Sequence, residues 1–199
     1  MDKILVYDFI LLILLPAWLL VGLGDWYCHR KSRIELTAGA RESVLHLMLS
    51  FEAAVGVLSG LFFEINALIL CVIIVAFIVH EITTSIDFRV ADPERRLTPT
   101  EMRVHDYLTA IPFAAVCLVL MTHTGQLLAI VGLGNEEPDW TVRWKVEPLP
   151  VGYLVGWNLA AVLLNIGPYS EELIRCLRAA RKIPSDLPSA WKASGNTRR

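Results

Sequence analysis

Five long apolar stretches divide the chain, and each comes close to the length that crosses a bilayer. A helix needs about 20 apolar residues to span about 30 Å of hydrocarbon. The stretches run approximately over 4–23, 43–63, 67–86, 107–128 and 151–166, of which the last is short and is expected to tilt or extend. Two contain a proline, Pro16 or Pro112, where a kink is expected rather than a break. The pattern predicts an all-α integral membrane helical bundle with five transmembrane helices.

Connections that are rich in basic residues alternate along the chain with connections that are poor in them, and this alternation predicts the orientation of the spans. Segments 30–41 and 89–103 each hold four Lys or Arg, segment 62–66 holds none, and the chain after position 168 holds seven. Connections rich in Lys and Arg remain in the cytoplasm. We therefore expect the N-terminus outside and the C-terminus in the cytoplasm, as in a protein of the bacterial inner membrane. This orientation requires an odd number of spans, and five satisfies it.

The chain beyond the fifth apolar stretch changes character. After Pro168 the sequence YSEELIRCLRAARK places apolar residues on one helix face and basic residues on the other, which predicts an amphipathic helix on the inner membrane surface. Residues 1–183 are thus interpreted as one membrane-embedded helical domain. Residues 184–199 are polar and rich in Pro and Ser, and they are expected to form a disordered cytoplasmic tail.

Composition supports this class and excludes others. Hydrophobic residues make up 55% of the 199 positions, which is too many for an ordinary soluble domain of this length. The net charge of −2 provides no basic field, so a nucleic acid is not expected as a partner. The four cysteines form no C-x-x-C pair and are interpreted as reduced packing thiols.

Three carboxylate-x-x-x-His pairs stand at the ends of the predicted spans. Spacing i,i+4 places both side chains of a pair on one helix face. With 20 acidic residues in the chain, its five histidines would give only about half such a pair by chance. The pairs are Asp25 with His29, Glu42 with His46, and Glu101 with His105.

The third span contributes a fourth set of polar residues on one face. His80, Thr84 and Asp87 are spaced i, i+4 and i+7. In the predicted topology, all four helices present their imidazoles and carboxylates near the inner border of the membrane. Ionisable groups at that depth are costly unless they face the bundle interior and are paired or bound to metal. The shared depth therefore predicts a functional site.

Imidazoles and carboxylates from every helix of a four-helix bundle are how helical proteins hold two metal ions. The sequence therefore predicts two transition-metal ions inside the first four spans, with iron favoured and zinc or manganese as alternatives. The fifth span and the amphipathic helix lie beside this four-helix bundle. The predicted metal ligands are Asp25, His29, Glu42, His46, His80, Asp87, Glu101 and His105.

Other ionisable residues receive lesser roles in this prediction. Glu81 is about 100° around the helix from His80 and is predicted as the catalytic base or as an additional ligand. Glu35 is an equally uncertain ligand, because Gly39 interrupts the helix that would carry it. Glu52 is expected at most to support a ligand without binding the metal itself. Asp8 and His123 are isolated and are expected to be structural.

The favoured function is a membrane non-haem di-iron oxidoreductase, similar in chemistry to a hydroxylase or desaturase. Its expected substrate is a membrane lipid or other lipophilic molecule, and a cytoplasmic electron donor would dock at the basic loops. The alternatives are a zinc-dependent hydrolase, a b-haem electron-transfer protein with axial histidines, and a metal-ion transporter. The chain lacks the H-x-x-x-H and H-x-x-H-H boxes of membrane di-iron hydroxylases, so no family's residues can be transferred to it.

Overall fold

The computed structural model describes residues 2–94 and 97–181 of the chain. The structure is 82% helical, and the described residues form no β-strand, which confirms the predicted all-α class. Within these described ranges, five helices are long and apolar enough to cross a membrane. They are α1 (Lys3–Ser32), α2 (Ala40–Phe62), α3 (Ala67–Glu94), α4 (Pro99–Thr122) and α6 (Val151–Arg181), and the short α5 (Thr124–Ile130) follows α4. The predicted tail, 184–199, lies outside the described residues.

Helix α1 continues well beyond the predicted apolar stretch. It reaches Ser32, so that Asp25 and His29 both belong to its last turns. A π-helical turn over Ile10–Leu14 ends two residues before Pro16. The wider turn changes the backbone pairing where the proline lacks an N–H, and the helix passes through without a break. The prediction that Pro16 does not end the span is confirmed.

Helix α6 differs from the prediction. The sequence indicated a span ending near 166 and a separate surface helix after Pro168, but the structure has one continuous helix, Val151–Arg181. A π-helical turn over Val162–Ile166 precedes Gly167 and Pro168. The turn changes the backbone hydrogen-bond pairing where the proline lacks an N–H, so that the helix continues. The second half of α6 consequently packs on the bundle, where it buries Tyr169 and Glu172.

The bundle has a polar end and an apolar end. Side chains at the end where α1 and α3 finish and α2 and α4 begin are polar although they are buried; we call this the ligand end. At the opposite end, an apolar cluster fills the space between α1, α2 and α6, and it contains Val6, Ile10, Leu15, Leu61 and Trp157. Large apolar side chains such as Phe51 and Phe113 point outward, 72% and 56% exposed, as a lipid-facing surface requires.

The connection 131–150 closes the opposite end of the bundle. Its backbone pairs with the end of α2, since the Lys145 N–H donates to Phe62 O at 3.0 Å. The ring of Trp144 packs on Phe63 with centroids 4.7 Å apart. Trp140 and Trp144 nevertheless remain 52% and 68% exposed, which suits side chains that lie at a membrane–water interface.

Candidate metal centre

The three predicted carboxylate–histidine pairs converge at the ligand end. Each pair lies in a terminal turn of its helix: the last turns of α1, and the first turns of α2 and α4. Asp87 joins them from α3. None of these seven residues is more than 5% exposed; they are Asp25, His29, Glu42, His46, Asp87, Glu101 and His105.

The first turn of α4 shows how the sequence places a ligand. Thr98 is the N-cap, and its hydroxyl oxygen accepts from the Glu101 N–H at 3.2 Å. Pro99 follows at the first helical position, where its fixed φ and missing N–H are tolerated. The helix therefore begins early enough to include Glu101, whose carboxylate is fully buried and 3.3 Å from His29 Nε2.

His29 lies at the middle of the group. Its Nε2 atom is 3.4 Å from Asp25 Oδ1 and 3.7 Å from Glu42 Oε1, besides the 3.3 Å contact with Glu101. Among the described residues this nitrogen has no hydrogen-bond partner. Two ligands each bound at about 2.1 Å to one ion lie about 3.0–3.5 Å apart. The spacing around His29 Nε2 thus suits atoms that share a cation.

His46 and His105 extend the group on either side of His29. The His46 ring stacks on the His29 ring, with centroids 4.5 Å apart and planes 17° apart. Its Nε2 is 3.5 Å from Asp87 Oδ1. On the other side, His105 Nε2 lies 2.9 Å from Asp25 Oδ1. The three imidazoles consequently form one continuous row with carboxylates along it.

Two sets of side chains in this row have ligand atoms close enough together to hold an ion. One set is Asp25, His29 and His105, and the other is His29, Glu42 and His46. His29 is common to both, and a single Nε2 lone pair binds one ion. The sets therefore describe neighbouring positions in a single centre.

Glu172 of α6 supports two of these histidines and was not predicted. Its Oε1 lies 2.8 Å from His46 Nδ1, and its Oε2 lies 3.1 Å from His29 Nδ1. Ser43 also donates to Glu172 Oε1, at 2.9 Å. A carboxylate that accepts from Nδ1 fixes the ring so that the Nε2 lone pair faces the metal. One fully buried glutamate thus orients two imidazoles.

Tyr169, one turn before Glu172, orients a carboxylate in the same way. Its hydroxyl donates to Asp25 Oδ2 at 3.1 Å, and its ring lies against His46 with centroids 5.1 Å apart. Glu172 was missed because Pro168 was interpreted as the start of a separate helix. The signal was present in the sequence, since positions 169, 172 and 176 share one face of an uninterrupted helix.

His80, a predicted ligand, lies away from the other three histidines. It is seven residues before Asp87 on α3, which shares its face but is about 10.5 Å along the helix axis. Its Nδ1 faces Glu52 Oε2 at 3.8 Å, and Thr83 donates to the other oxygen of Glu52 at 2.8 Å. Neither of the two ligand sets includes His80. The geometry therefore gives it no support as a ligand.

The remaining ionisable residues lie outside the centre. Glu81 is half-buried on α3 and is not among the residues that line the cavity beside the ligands. Glu35 forms an ion pair with Arg175 of α6 and lies at the surface of the group. His123 hydrogen-bonds Tyr7 at 3.0 Å at the opposite end of the bundle, and Asp8 is exposed. Glu81 as catalytic base stays a prediction.

The buried group carries excess negative charge. Asp25, Glu42, Asp87, Glu101 and Glu172 supply five carboxylates, against three imidazoles. The group would retain a net negative charge even with every imidazole protonated. Buried charge of one sign is costly unless a counterion neutralises it. Two divalent cations would offset most of this charge at the place where the ligand atoms converge.

A cavity of about 190 Å³ opens from the ligands into the bundle interior. Its polar end is formed by Asp25, His46, Asp87, His105 and Tyr169. The other end is predominantly apolar, and its walls include Trp18, Leu49, Val57 and Trp157. An apolar molecule inside this cavity would therefore place one end beside the candidate metal centre.

The chain matches no protein-family model, and no curated protein or solved structure shows significant similarity to it. Function must be argued from the site itself.

Proposed function

We propose that the protein is a membrane metalloenzyme whose two non-haem iron ions oxidise a lipophilic substrate at the cytoplasmic membrane border. The observation that carries the proposal is that three imidazoles and four carboxylates from four helices lie in one buried row. Asp25, Glu42 and Glu101 lie 3.3–3.7 Å from His29 Nε2, and Asp87 lies 3.5 Å from His46 Nε2. Glu172 adds the outer support that metal-bound histidines require.

The donor set favours iron among the transition metals. The candidate ligands are nitrogen and carboxylate oxygen atoms, and neither ligand set contains a cysteine. Mixed imidazole and carboxylate ligation suits iron, manganese or zinc, whereas thiolate-rich sites are typical of structural zinc and iron–sulfur clusters. Carboxylate-rich dinuclear centres in helical bundles hold di-iron or di-manganese. Zinc and manganese remain the alternatives.

The proposed reaction uses oxygen and two electrons. In a hydroxylation, one oxygen atom of O2 is inserted into a C–H bond of the substrate. The other oxygen atom takes up two protons and two electrons from a cytoplasmic donor and leaves as water. In a desaturation, two hydrogens leave the substrate, and both oxygen atoms become water with the same donor electrons and protons. The metal ions supply the redox chemistry. The protein residues hold the ions and direct the substrate through the apolar part of the cavity.

The stacked histidines argue against the haem alternative. A haem with two axial histidines needs imidazoles on opposite faces of the porphyrin, separated by the ring. The rings of His29 and His46 are in contact at 4.5 Å, and Glu172 holds the Nδ1 atoms of both. Their Nε2 atoms therefore face the same carboxylate-lined space, where a porphyrin has no room.

Anaerobic reconstitution with ferrous iron, followed by oxygen, tests the proposal. We expect a near-ultraviolet absorption band to appear with consumption of oxygen, and neither in a His29→Ala variant. A protein that is isolated fully occupied by zinc, and whose metal-stripped form regains its cellular activity with zinc alone, would show that the oxidative function is wrong. That outcome would favour the hydrolase alternative.

A further inference from the structure

A second cavity continues the first one away from the ligands. It has a volume of about 120 Å³ and shares part of its wall with the first cavity, namely Trp18, Ala53, Val57 and His80. From there it runs towards the opposite end of the bundle, where Tyr7, Leu61 and Ile65 line it. The two cavities are thus successive compartments along the bundle.

The combined length can be measured along α2. His46 lines the first cavity and Leu61 lines the second, and 15 residues of helix correspond to about 22 Å. An extended alkyl chain advances about 1.25 Å for each C–C bond of about 1.5 Å. A chain of about 18 carbons would therefore reach from the ligands to the end of the second cavity, and a chain of about 16 carbons would end inside it.

The lining of the second cavity suits a narrow apolar chain. Its walls are apolar apart from Tyr7, Glu52 and His80, and two glycines of α2, Gly56 and Gly60, provide space between α2 and α3. An apolar cavity remains dry and accepts apolar ligands. In a bilayer, the apolar molecules at hand are lipid chains.

Trp18 and His80 mark the boundary between the two compartments. Their rings make an edge-to-face contact with centroids 5.9 Å apart, and the Trp18 indole donates to Leu108 O at 3.2 Å. This hydrogen bond holds the indole of α1 against α4. A chain that extends from one compartment into the other passes beside this pair. Only a long chain would reach beyond it.

We propose that the two cavities together bind a linear long-chain lipophile, with its functionalised end at the ligands and its distal chain in the second cavity. The inference rests on the proposed function only for the reaction at the metal end. It identifies the substrate class of that centre as a single unbranched chain, such as a fatty acyl chain, in preference to a compact ring.

Photo-crosslinking of the full chain in phosphatidylcholine nanodiscs tests this binding site. The probe is hexadecanoic acid with a diazirine at its terminal carbon, and the labelled residues are mapped by mass spectrometry. We expect labelling of second-cavity residues such as Val57, Leu61 and Ile65. Excess hexadecanoic acid should suppress it at least about tenfold, whereas octanoic acid at the same concentration should not, because its shorter chain buries less apolar surface and binds more weakly.

A matched pair of glycine substitutions makes the test specific. Gly60→Phe fills the second cavity, where a Cβ atom would meet only Ile73 Cδ1 at an ordinary 3.8 Å. Gly156→Phe adds the same bulk on an exposed face of α6, where nothing lies within 4 Å of the Cβ position. We expect cavity labelling to be lost in Gly60→Phe and retained in Gly156→Phe. If Gly60→Phe does not fold, Gly56→Leu fills the same cavity with a smaller side chain.

Two outcomes would overturn the inference. One is labelling confined to outward residues such as Phe51 and Phe113, without competition by hexadecanoic acid. The other is cavity labelling that persists unchanged in both cavity-filling variants. Metal analysis of the same samples separates this inference from the proposed function. Cavity labelling in a protein that binds no metal would support the chain site and refute the metalloenzyme. A metal-loaded protein without cavity labelling would support the metalloenzyme and refute the chain site.

Discussion

Glu172 Oε1 lies 2.8 Å from His46 Nδ1, and both side chains are buried although the two residues are 126 positions apart in the sequence. The other oxygen of Glu172 makes the corresponding contact with His29 at 3.1 Å. Because each imidazole has only two nitrogens, this arrangement leaves both Nε2 atoms facing the carboxylates of α1 to α4. Helix α6 thus contributes to the candidate centre without supplying a ligand to it.

Replacing Glu172 should weaken metal binding without removing a ligand. In Glu172→Gln, one acceptor oxygen becomes an NH₂ group, which cannot accept from a histidine Nδ1–H. Loss of such an outer-shell partner lowers metal affinity about 10- to 100-fold. Competition against a chelator of known affinity measures the change.

Glu171→Gln is the matched control for this substitution. Glu171 lies beside Glu172 in sequence, but its carboxylate contacts Trp26 and Arg30 at the surface of the bundle. We expect its metal affinity to equal that of the wild type. Equal affinities for Glu172→Gln and Glu171→Gln would contradict the role of Glu172.

His105 and His80 should differ in their effect on metal content. His105→Ala removes a nitrogen from one of the two ligand sets and should lower the bound metal by about one ion per chain, the share of one position in a two-ion centre. His80→Ala removes a ring that faces Glu52 and Trp18 and should leave metal content unchanged. Elemental analysis of both variants decides whether His80 is a ligand. An equal loss of bound metal in both variants would show that His80 is a metal ligand, as its i+7 spacing from Asp87 predicted.

Metal should protect the protein against heat, and Asp87 should be needed for this protection. A ligand that binds only the folded state stabilises it by about 2.7 kcal/mol at 100 times its Kd. For a chain of this length, that corresponds to an increase in Tm of about 5–11 °C. In Asp87→Asn we expect less than half of this increase, because a carboxylate beside His46 becomes a neutral amide.

The control for Asp87 is Asp106→Asn. Asp106 adjoins a candidate ligand in sequence, but its side chain is exposed, so the full increase in Tm with metal should remain. Thermal unfolding in detergent, with and without ferrous iron under anaerobic conditions, measures both variants. A full metal-dependent increase in Asp87→Asn would exclude this carboxylate from the centre.

The expected orientation can be tested with single cysteines in a background without native cysteine. Arg33 and Val142 are exposed at the ligand end and the opposite end, respectively. An impermeant maleimide should label Val142→Cys in intact cells and Arg33→Cys only after the membrane is permeabilised. The reverse pattern would place the ligand end outside and remove the argument for a cytoplasmic electron donor.

Local sequence patterns predicted most of the bundle and most of the candidate centre. Lengths of apolar sequence identified the five long helices, and the i,i+4 rule identified carboxylate–histidine pairs that the structure brings together. The rule succeeds because residues four apart on a helix share a face and nearly share a level. His80 shares the face of Asp87 but lies two turns away along the helix, so its role as a ligand stays a prediction.

The contribution of α6 follows from the same patterns only if the helix continues through Pro168. Gly167 and Pro168 ordinarily interrupt a helix, and only the π-helical turn over Val162–Ile166 allows the helix to continue. The apolar residues of this segment also suggested a surface helix facing the membrane. In the structure, Ile174 and Leu177 are 48% and 45% exposed, while Tyr169 and Glu172 face the bundle. Tertiary packing against α2 decided which face is buried.

Metal content and the absorption spectrum of the purified full-length protein test the central claim most directly. We expect about two iron, manganese or zinc ions per chain, with iron predominant, and no Soret absorption. The metal should fall by at least about half in His29→Ala, since His29 belongs to both ligand sets. A wild-type protein that binds no transition metal after anaerobic loading, or one that contains stoichiometric haem, would contradict the dinuclear centre.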